Sequence, residues 1–158
     1  MVIDTSVVTG QFIGGTGTPG TTNMAKATGI AITRGDICNV NTTTTPDSLQ
    51  TCPISGTTAT GTFYWCEQTA PIGTTGVSVR YDGEVTVKCD GTVEPNALLV
   101  TSATTAGRVQ QAAGTPEAAN RQVGIYLRHP GEASGAANPA TAAANGDVIV
   151  ILLRPGVG

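Results

Sequence analysis

Short runs of β-forming residues alternate with glycine turns along most of the chain. Between residues 27 and 153, stretches rich in Val, Ile and Thr are separated by turn signals such as Asp82-Gly83 and Asp90-Gly91. Side chains that branch at Cβ suit a pleated, half-buried surface, and glycine accepts the positive backbone angles of tight turns. No long segment has the period of an amphipathic helix. The sequence therefore predicts an all-β fold, a small β-sandwich or β-barrel of short strands.

The length and composition fit one compact β domain. The chain has 158 residues, of which 12% are charged and 4% are aromatic. A chain of this size buries roughly two thirds of its unfolded surface, so its core does not require metal ions or disulfides. We predict a single domain over residues 25–158, preceded by an extended arm over residues 1–24. The Thr-rich segment 41–61 and the Ala/Gly-rich segment 130–145 are expected to be loop insertions.

The charge pattern argues against two classes of partner. The net charge is −3, and the eight Lys and Arg residues are dispersed along the sequence. A nucleic-acid surface needs a basic stripe that neutralises phosphates, so we expect no nucleic-acid partner. No run of apolar residues is long enough to span a bilayer, so we expect no membrane partner. The N-terminus lacks the basic and apolar regions of a secretory signal, which indicates synthesis in a cytoplasm.

Candidate catalytic residues are isolated from one another. His129 is the only histidine, and the sequence places no nucleophile or orienting acid beside it. Residues 15–20 match G-x-G-x-x-G, but Thr and Asn follow them instead of the helix that a dinucleotide site requires. We therefore predict that the protein is not an enzyme and has no cofactor.

The acidic residues and the cysteines favour structural roles. Aspartate beside glycine is typical of turns, and four residues have this placement: Asp36, Asp82, Asp90 and Asp147. The cysteines lack the close pairing of zinc ligands, so we expect no metal site. Their positions are Cys38, Cys52, Cys66 and Cys89, and most are expected to be buried, reduced thiols.

Two groups of apolar residues are candidate interface contacts. The arm carries Val7, Val8, Phe12 and Ile13, followed by a tract of Gly and Thr. We predict that these residues contact a neighbouring subunit by adding a strand to its sheet, and the alternative is a frayed terminus. Tyr64 and Trp65 are adjacent on a predicted strand and therefore point to opposite faces. One of them is expected in the core, and the other is a candidate anchor between subunits.

Three further patterns concern strand pairing. Residues 77–81 and 84–89 are predicted to form a hairpin around Asp82-Gly83. The run 147–153 is apolar on both faces, which predicts a central strand. Residues 62–81 and 123–153 repeat one strand-loop-strand pattern, and two such units facing each other would form a sandwich or barrel.

Four features follow one another from residue 29 onward: Arg34-Gly35-Asp36, the valine-rich stretch 63–89, the turn at Asp90-Gly91, and the closing strand after Gly146. In these features the chain resembles the small β-rich decoration, or cement, proteins of tailed-bacteriophage heads. The resemblance covers about four fifths of the chain and is one of pattern and order rather than of a catalytic motif. The segments 41–61 and 130–145 look longer than the compact members carry.

The resemblance implies a structural virion protein on the outer surface of the capsid. Such a protein binds the major capsid protein and copies of itself, commonly as a homotrimer, and bridges neighbouring capsid subunits. It would be made in the host cytoplasm. The alternative is a head-fibre base or surface adhesin module that binds a host protein or carbohydrate.

Overall fold

The computed structural model describes residues 20–26, 29–41, 48–51, 63–113, 122–130, 132 and 141–153. Within these ranges the protein consists of ten β-strands in two antiparallel five-stranded sheets, without a helix. The predicted all-β class is confirmed, and neither sheet closes into a barrel. In this part of the chain there is consequently no helix that could cross a membrane.

The first sheet is formed by the N-terminal half of the chain. Its strands are β1 (Thr21–Ala25), β2 (Ile37–Asn41), β3 (Ser48–Thr51), β4 (Tyr64–Cys66) and β5 (Gly76–Arg80). They lie in the order β1-β5-β4-β2-β3 across the sheet. The fifth strand therefore pairs with the first, while β1 and β3 lie at the edges.

The second sheet repeats this topology. Its strands are β6 (Gly83–Lys88), β7 (Leu98–Thr101), β8 (Val109–Gln111), β9 (Gln122–Arg128) and β10 (Val148–Leu153). Their order is β6-β10-β9-β7-β8, so each strand occupies the position of its counterpart in the first sheet. We call residues 20–80 the first repeat and residues 83–153 the second repeat.

Isolated bridges outside the ladders occur at equivalent places in both repeats. In each repeat, the residue directly after the first strand forms a parallel bridge with the third strand. An antiparallel bridge joins a residue that precedes the second strand to one that precedes the fifth strand. The parallel pairs are Lys26–Leu49 and Cys89–Val109, and the antiparallel pairs are Ile32–Ala70 and Val93–Ala143. Each antiparallel pair exchanges two backbone hydrogen bonds. This agreement extends the duplication beyond strand order.

A tight turn follows each residue of the antiparallel bridges and leads into the next strand. All four turns contain one residue with positive φ, and these residues are Gly35, Gly73, Asn96 and Gly146. In two of them an aspartate closes the turn: the Asp36 carboxylate accepts the Thr33 N–H, and the Asp147 carboxylate accepts the Ala144 N–H, both at 2.8 Å. The recurring order of bridge, turn and strand shows that the described residues form two copies of one five-stranded unit.

Each repeat contains an apolar core. The core of the first repeat consists of Ile32, Cys38, Leu49, Cys66, Ala70, Val77 and Val79. The core of the second repeat is larger, and it includes three residues from the first repeat: Ile37, Phe63 and Trp65. Alternate residues of β2 therefore face different cores, since Ile37 packs in one and Cys38 in the other. The three shared side chains join the repeats.

The predicted hairpin of residues 77–81 and 84–89 is wrong. β5 pairs with β1 and β4, whereas β6 pairs with β10, so these consecutive strands lie in different sheets. Gly83 has the positive φ that the turn prediction required, but Asp82-Gly83 links the two repeats. Both edges of β5 are already occupied by other strands. The alternation of β6 is as predicted, with Val85 and Val87 buried and Thr86 exposed.

Two segments differ from their predicted boundaries. The end of the predicted arm lies in β1, which pairs with β5 over residues 21–25, and residues 1–19 lie outside the described residues. The predicted loop insertion 41–61 contains β3, where Leu49 is fully buried. The alternation is short there and is surrounded by Thr, so the sequence pattern did not identify the strand.

Other features agree with the sequence pattern. β10 lies between β6 and β9, so the closing apolar run is a central strand. The strand-loop-strand echo corresponds to β4-β5 in the first repeat and β9-β10 in the second, although the two units lie in separate sheets. Cys38, Cys66 and Cys89 are buried thiols, and Cys52 lies outside the described residues.

Replacing Gly124 with alanine is expected to destabilise the second repeat. A Cβ at Gly124, in β9, would lie 2.3 Å from the carbonyl oxygen of Leu152 on the neighbouring strand β10. Because backbone must move to relieve this contact, Gly124→Ala should lower the free energy of unfolding by about 2 kcal/mol or more. Chemical denaturation measures the change. Gly29→Ala is the matched control, since a Cβ there meets nothing within 4 Å. Equal midpoints for the two variants would contradict the β9-β10 contact.

Candidate functional site

A groove runs along the boundary between the two repeats. It consists of two depressions with volumes of about 580 and 410 Å³. Both are lined by Arg34, Trp65 and Thr86, so they lie side by side. We call them together the inter-repeat groove.

Trp65 forms the floor of this groove and ties the repeats together. Only 7% of its surface is exposed, and its indole N–H donates a 2.7 Å hydrogen bond to the carbonyl oxygen of Thr86 in β6. The guanidinium of Arg80 lies 5.9 Å from the ring centroid. The tryptophan is therefore fixed by contacts within the chain.

Basic side chains that are dispersed in the sequence converge on the groove. Five of the eight Lys and Arg residues line it: Arg34, Arg80, Lys88, Arg108 and Arg128. Three carboxylates also line it, those of Asp36, Glu67 and Glu84. The lining is therefore net positive, although the whole chain is net negative.

Three of the five cations are already paired with acids. Arg128 contacts both carboxylate oxygens of Glu84, at 2.5 and 3.2 Å, and this hydrogen-bonded pairing lowers the pKa of Glu84. Arg80 lies 3.8 Å from Glu67. Arg108 contacts Asp90, which lies outside the groove lining, at 2.8 Å. The remaining two, Arg34 and Lys88, are exposed and form no ion pair with any residue that the structure describes.

Asp36 is the acidic group inside the larger depression. It is half-buried, and burial raises the pKa of its carboxyl group, while the hydrogen bond from the Thr33 N–H and the charges of Arg108 and Lys88 oppose this rise. A Cβ at Gly107 would lie 3.0 Å from its carboxylate. Gly107 therefore allows the loop of the second repeat to pack closely against Asp36.

The loop of residues 102–108 forms one wall of the groove and is held by Asp90. The Asp90 carboxylate accepts hydrogen bonds from the hydroxyl groups of Ser102 and Thr104 and from the Arg108 guanidinium. The Ser102 hydroxyl in turn accepts the backbone N–H groups of Thr104 and Thr105, both at 2.9 Å. Asp90 was predicted to serve a turn, but its buried side chain is the centre of this network.

The network fixes the charge of Asp90. Burial alone would raise its pKa, but the hydrogen bonds from Ser102, Arg108 and Thr104 outweigh burial and lower the pKa to about 2. At the end of the loop, the Gly107 carbonyl oxygen accepts the Ile37 N–H at 2.8 Å, which is a direct backbone contact between the repeats. The loop thus links the Asp90 network to the first repeat.

The outer face of the second sheet carries a row of apolar side chains. Leu98, Ile125 and Leu152 occupy paired positions on β7, β9 and β10, so they form a line across three strands. Leu98 and Leu152 are 40% and 37% exposed. We call these three residues the apolar row. At its end, Glu84 on β6 is paired with Leu152. Val148, 42% exposed, lies on the same face of β10.

The predicted interface residues have different outcomes. Val7, Val8, Phe12 and Ile13 lie outside the described residues. Tyr64 and Trp65 face opposite cores, as predicted for neighbours on a strand: Tyr64 is half-buried against the first core and Trp65 is buried in the second. Trp65 therefore anchors the repeats of one chain. An additional role for Tyr64 or Trp65 between subunits stays a prediction.

Sequence reasoning missed both the groove and the apolar row. The groove depends on pairing between distant segments, and the only signal for it was the internal echo. The row depends on register across three strands, which no local pattern specifies. Leu98 lies in an uninterrupted apolar run, Ala97-Leu98-Leu99-Val100, which does not indicate which side chain is exposed. No family model matches the chain, and no curated protein matches its sequence.

Asp90→Asn is expected to destabilise the protein and to remove part of its acid sensitivity. The Asp90 pKa is below the ordinary value of 3.8, so the carboxylate contributes stability that is present above the unfolded-state pKa and lost as pH falls through the folded-state value of about 2. The shift corresponds to about 2 kcal/mol at neutral pH. Urea denaturation across this acid range measures it.

Glu94→Gln is the control for this pH series. Glu94 is an exposed carboxylate in the same repeat, so its replacement should leave the acid-dependent loss of stability unchanged. An Asp90→Asn variant with wild-type stability at neutral pH, or with the wild-type acid dependence, would refute the role of the network.

Proposed function

We propose that the protein is a structural virion component that decorates the outside of a bacteriophage head. In this role it stabilises the shell by bridging neighbouring major capsid subunits, and it acts as a homotrimer. The sequence resemblance to cement proteins suggests the role, and the exposed apolar row is the structural observation that supports an assembling subunit.

The apolar row favours contact with a second copy of this chain. Large apolar side chains aligned across a sheet are uncommon on a surface that stays in water, and they mark interaction sites. The row is flanked by the ion pair of Glu84 and Arg128, which places an acid and a base beside the apolar centre. A surface with both charges can complement another copy of itself. We therefore assign the row to contacts between the copies of a trimer.

The surface composition also suits repeated docking on a lattice. Thr, Ala and Gly side chains lose little rotamer entropy when they become buried, so weak contacts need not overcome a large ordering cost. Many equivalent contacts then add through avidity. In this proposal Val7, Val8, Phe12 and Ile13 contact a neighbouring subunit.

Substitution of the apolar row is expected to dissociate the oligomer without unfolding the chain. The Leu98→Thr/Leu152→Thr double variant should shift the monomer–oligomer equilibrium by roughly tenfold or more, since about 1.4 kcal/mol corresponds to a factor of ten. Size-exclusion chromatography with light scattering over a dilution series measures the shift. Ile72→Thr is the matched control because Ile72 is 69% exposed but lies outside the row. A monomeric wild type, or equal masses for both variants, would contradict the assignment.

Binding to undecorated shells tests the virion role itself. Shells assembled from the major capsid protein of the same genome should co-sediment with the wild-type protein at a saturable stoichiometry. Phe12→Ser/Ile13→Ser should weaken this binding at least about tenfold, whereas Thr16→Ser/Thr18→Ser, in the same segment, should not. A protein that does not pellet with shells would overturn the proposal and favour the adhesin or head-fibre alternative. Unchanged binding by the Phe12/Ile13 variant would overturn only the contribution of these residues.

A further inference from the structure

The inter-repeat groove has the size and shape of a ligand site. Its two depressions, of about 580 and 410 Å³, each fall in the range of small-ligand pockets, roughly 300–1,000 Å³. They lie side by side and share three lining residues, so one elongated ligand can occupy both. A short extended peptide has this form.

The charge of the groove selects an acidic ligand. Arg34 lines both depressions and Lys88 lines the larger one, and neither forms an ion pair with a residue in the described part of the chain. Exposed cations that converge on one cleft raise the local concentration of anions. Arg34 presents a planar guanidinium that can bind a carboxylate with two hydrogen bonds.

The carboxylates of the lining distinguish a peptide from a nucleic acid. Asp36 lines the larger depression, and Glu67 and Glu84 line the smaller one. A phosphate backbone carries a charge at every nucleotide and would meet these carboxylates unfavourably. In a peptide the side-chain charges are spaced apart, and the backbone N–H groups can donate hydrogen bonds to carboxylates. The mixed lining therefore favours an acidic peptide.

Apolar and hydroxyl groups complete the lining. Trp65 forms the floor, and Val148 is 42% exposed at the edge of the larger depression. The side chains of Thr33, Thr86 and Thr105 add hydroxyl groups that both donate and accept hydrogen bonds. Such a surface can contact a peptide backbone between its charged residues.

We propose that the inter-repeat groove binds an extended acidic peptide segment of a partner protein, with Arg34 and Lys88 contacting its carboxylates. The groove lining contains no residue of the apolar row, although the ion pair of Glu84 and Arg128 flanks the row and also lines the smaller depression. The proposal does not depend on the virion role. Contacts of the row hold copies together, whereas the groove recognises a segment of different chemistry.

Titration with short peptides tests this proposal on the full chain. The probes are an unlabelled peptide that alternates Glu with Gly and Ser, the same peptide with Lys in place of Glu, and a single-stranded oligonucleotide. Trp65 is the only tryptophan, so its emission reports occupancy of the groove directly. We expect a saturable change with the acidic peptide, weaker at higher salt, and no change with the lysine peptide.

Two double variants distinguish specific binding at the groove from attraction by the net charge of the protein. Arg34→Gln/Lys88→Gln should weaken acidic-peptide binding by about tenfold or more, which is ~1.4 kcal/mol or more. Ile72→Glu/Ala142→Glu makes the same change in net charge at exposed positions outside the groove lining, and should alter binding less than about twofold. Denaturation midpoints establish that both variants are folded.

Three results would overturn the proposal. The first is the absence of saturable binding to the acidic peptide. The second is equal weakening by the two double variants, which would mean that net charge alone attracts the peptide. The third is tighter binding of the oligonucleotide than of the acidic peptide, which would assign the groove to nucleic acid. None of these results bears on shell binding or on the oligomeric state, so the two proposals fail independently.

Discussion

The buried carboxylate of Asp90 is the interaction on which the boundary between the repeats depends. It holds Ser102, Thr104 and Arg108 at once, and so it fixes the loop that ends at Gly107. The Gly107 carbonyl oxygen then binds the backbone of the first repeat. A buried charge is costly unless it is paired and hydrogen-bonded, and this one is both. One side chain therefore orients a wall of the groove and a contact between the two sheets.

The groove exists because two copies of one unit are joined through Ile37, Phe63 and Trp65. These side chains leave the first sheet on the face opposite its own core and complete the core of the second repeat. The charged side chains of the groove lining then lie around Trp65. Neither repeat alone carries all the basic residues of the lining, since Arg34 and Arg80 belong to one and the other three to the second. The boundary between the two repeats thus forms a surface that a single repeat lacks.

The sequence predicted what depends on local alternation and missed what depends on pairing. The period-two pattern of Val85 and Val87 and the apolar closing run were sufficient for the fold class and the central strand. The hairpin prediction failed because Asp82-Gly83 satisfies a two-residue turn equally well when it links two sheets. β3 is too short for its alternation to stand out. The groove could not be predicted because its cations come from distant positions, and sequence spacing carries no information on their convergence.

In each repeat the first strand pairs with the fifth, and this pairing has a consequence for the order of folding. Each ladder pairing among the ten described strands lies within one repeat, so the first sheet can be completed once the chain has been synthesised through Arg80. The second sheet needs β10, and therefore nearly the whole chain. Between these two events Phe63 and Trp65 lack the residues that bury them, and the nascent protein displays an apolar face. Slow translation of the second half would prolong that exposure, which makes this interval the stage at which the chain is most open to aggregation or to chaperones.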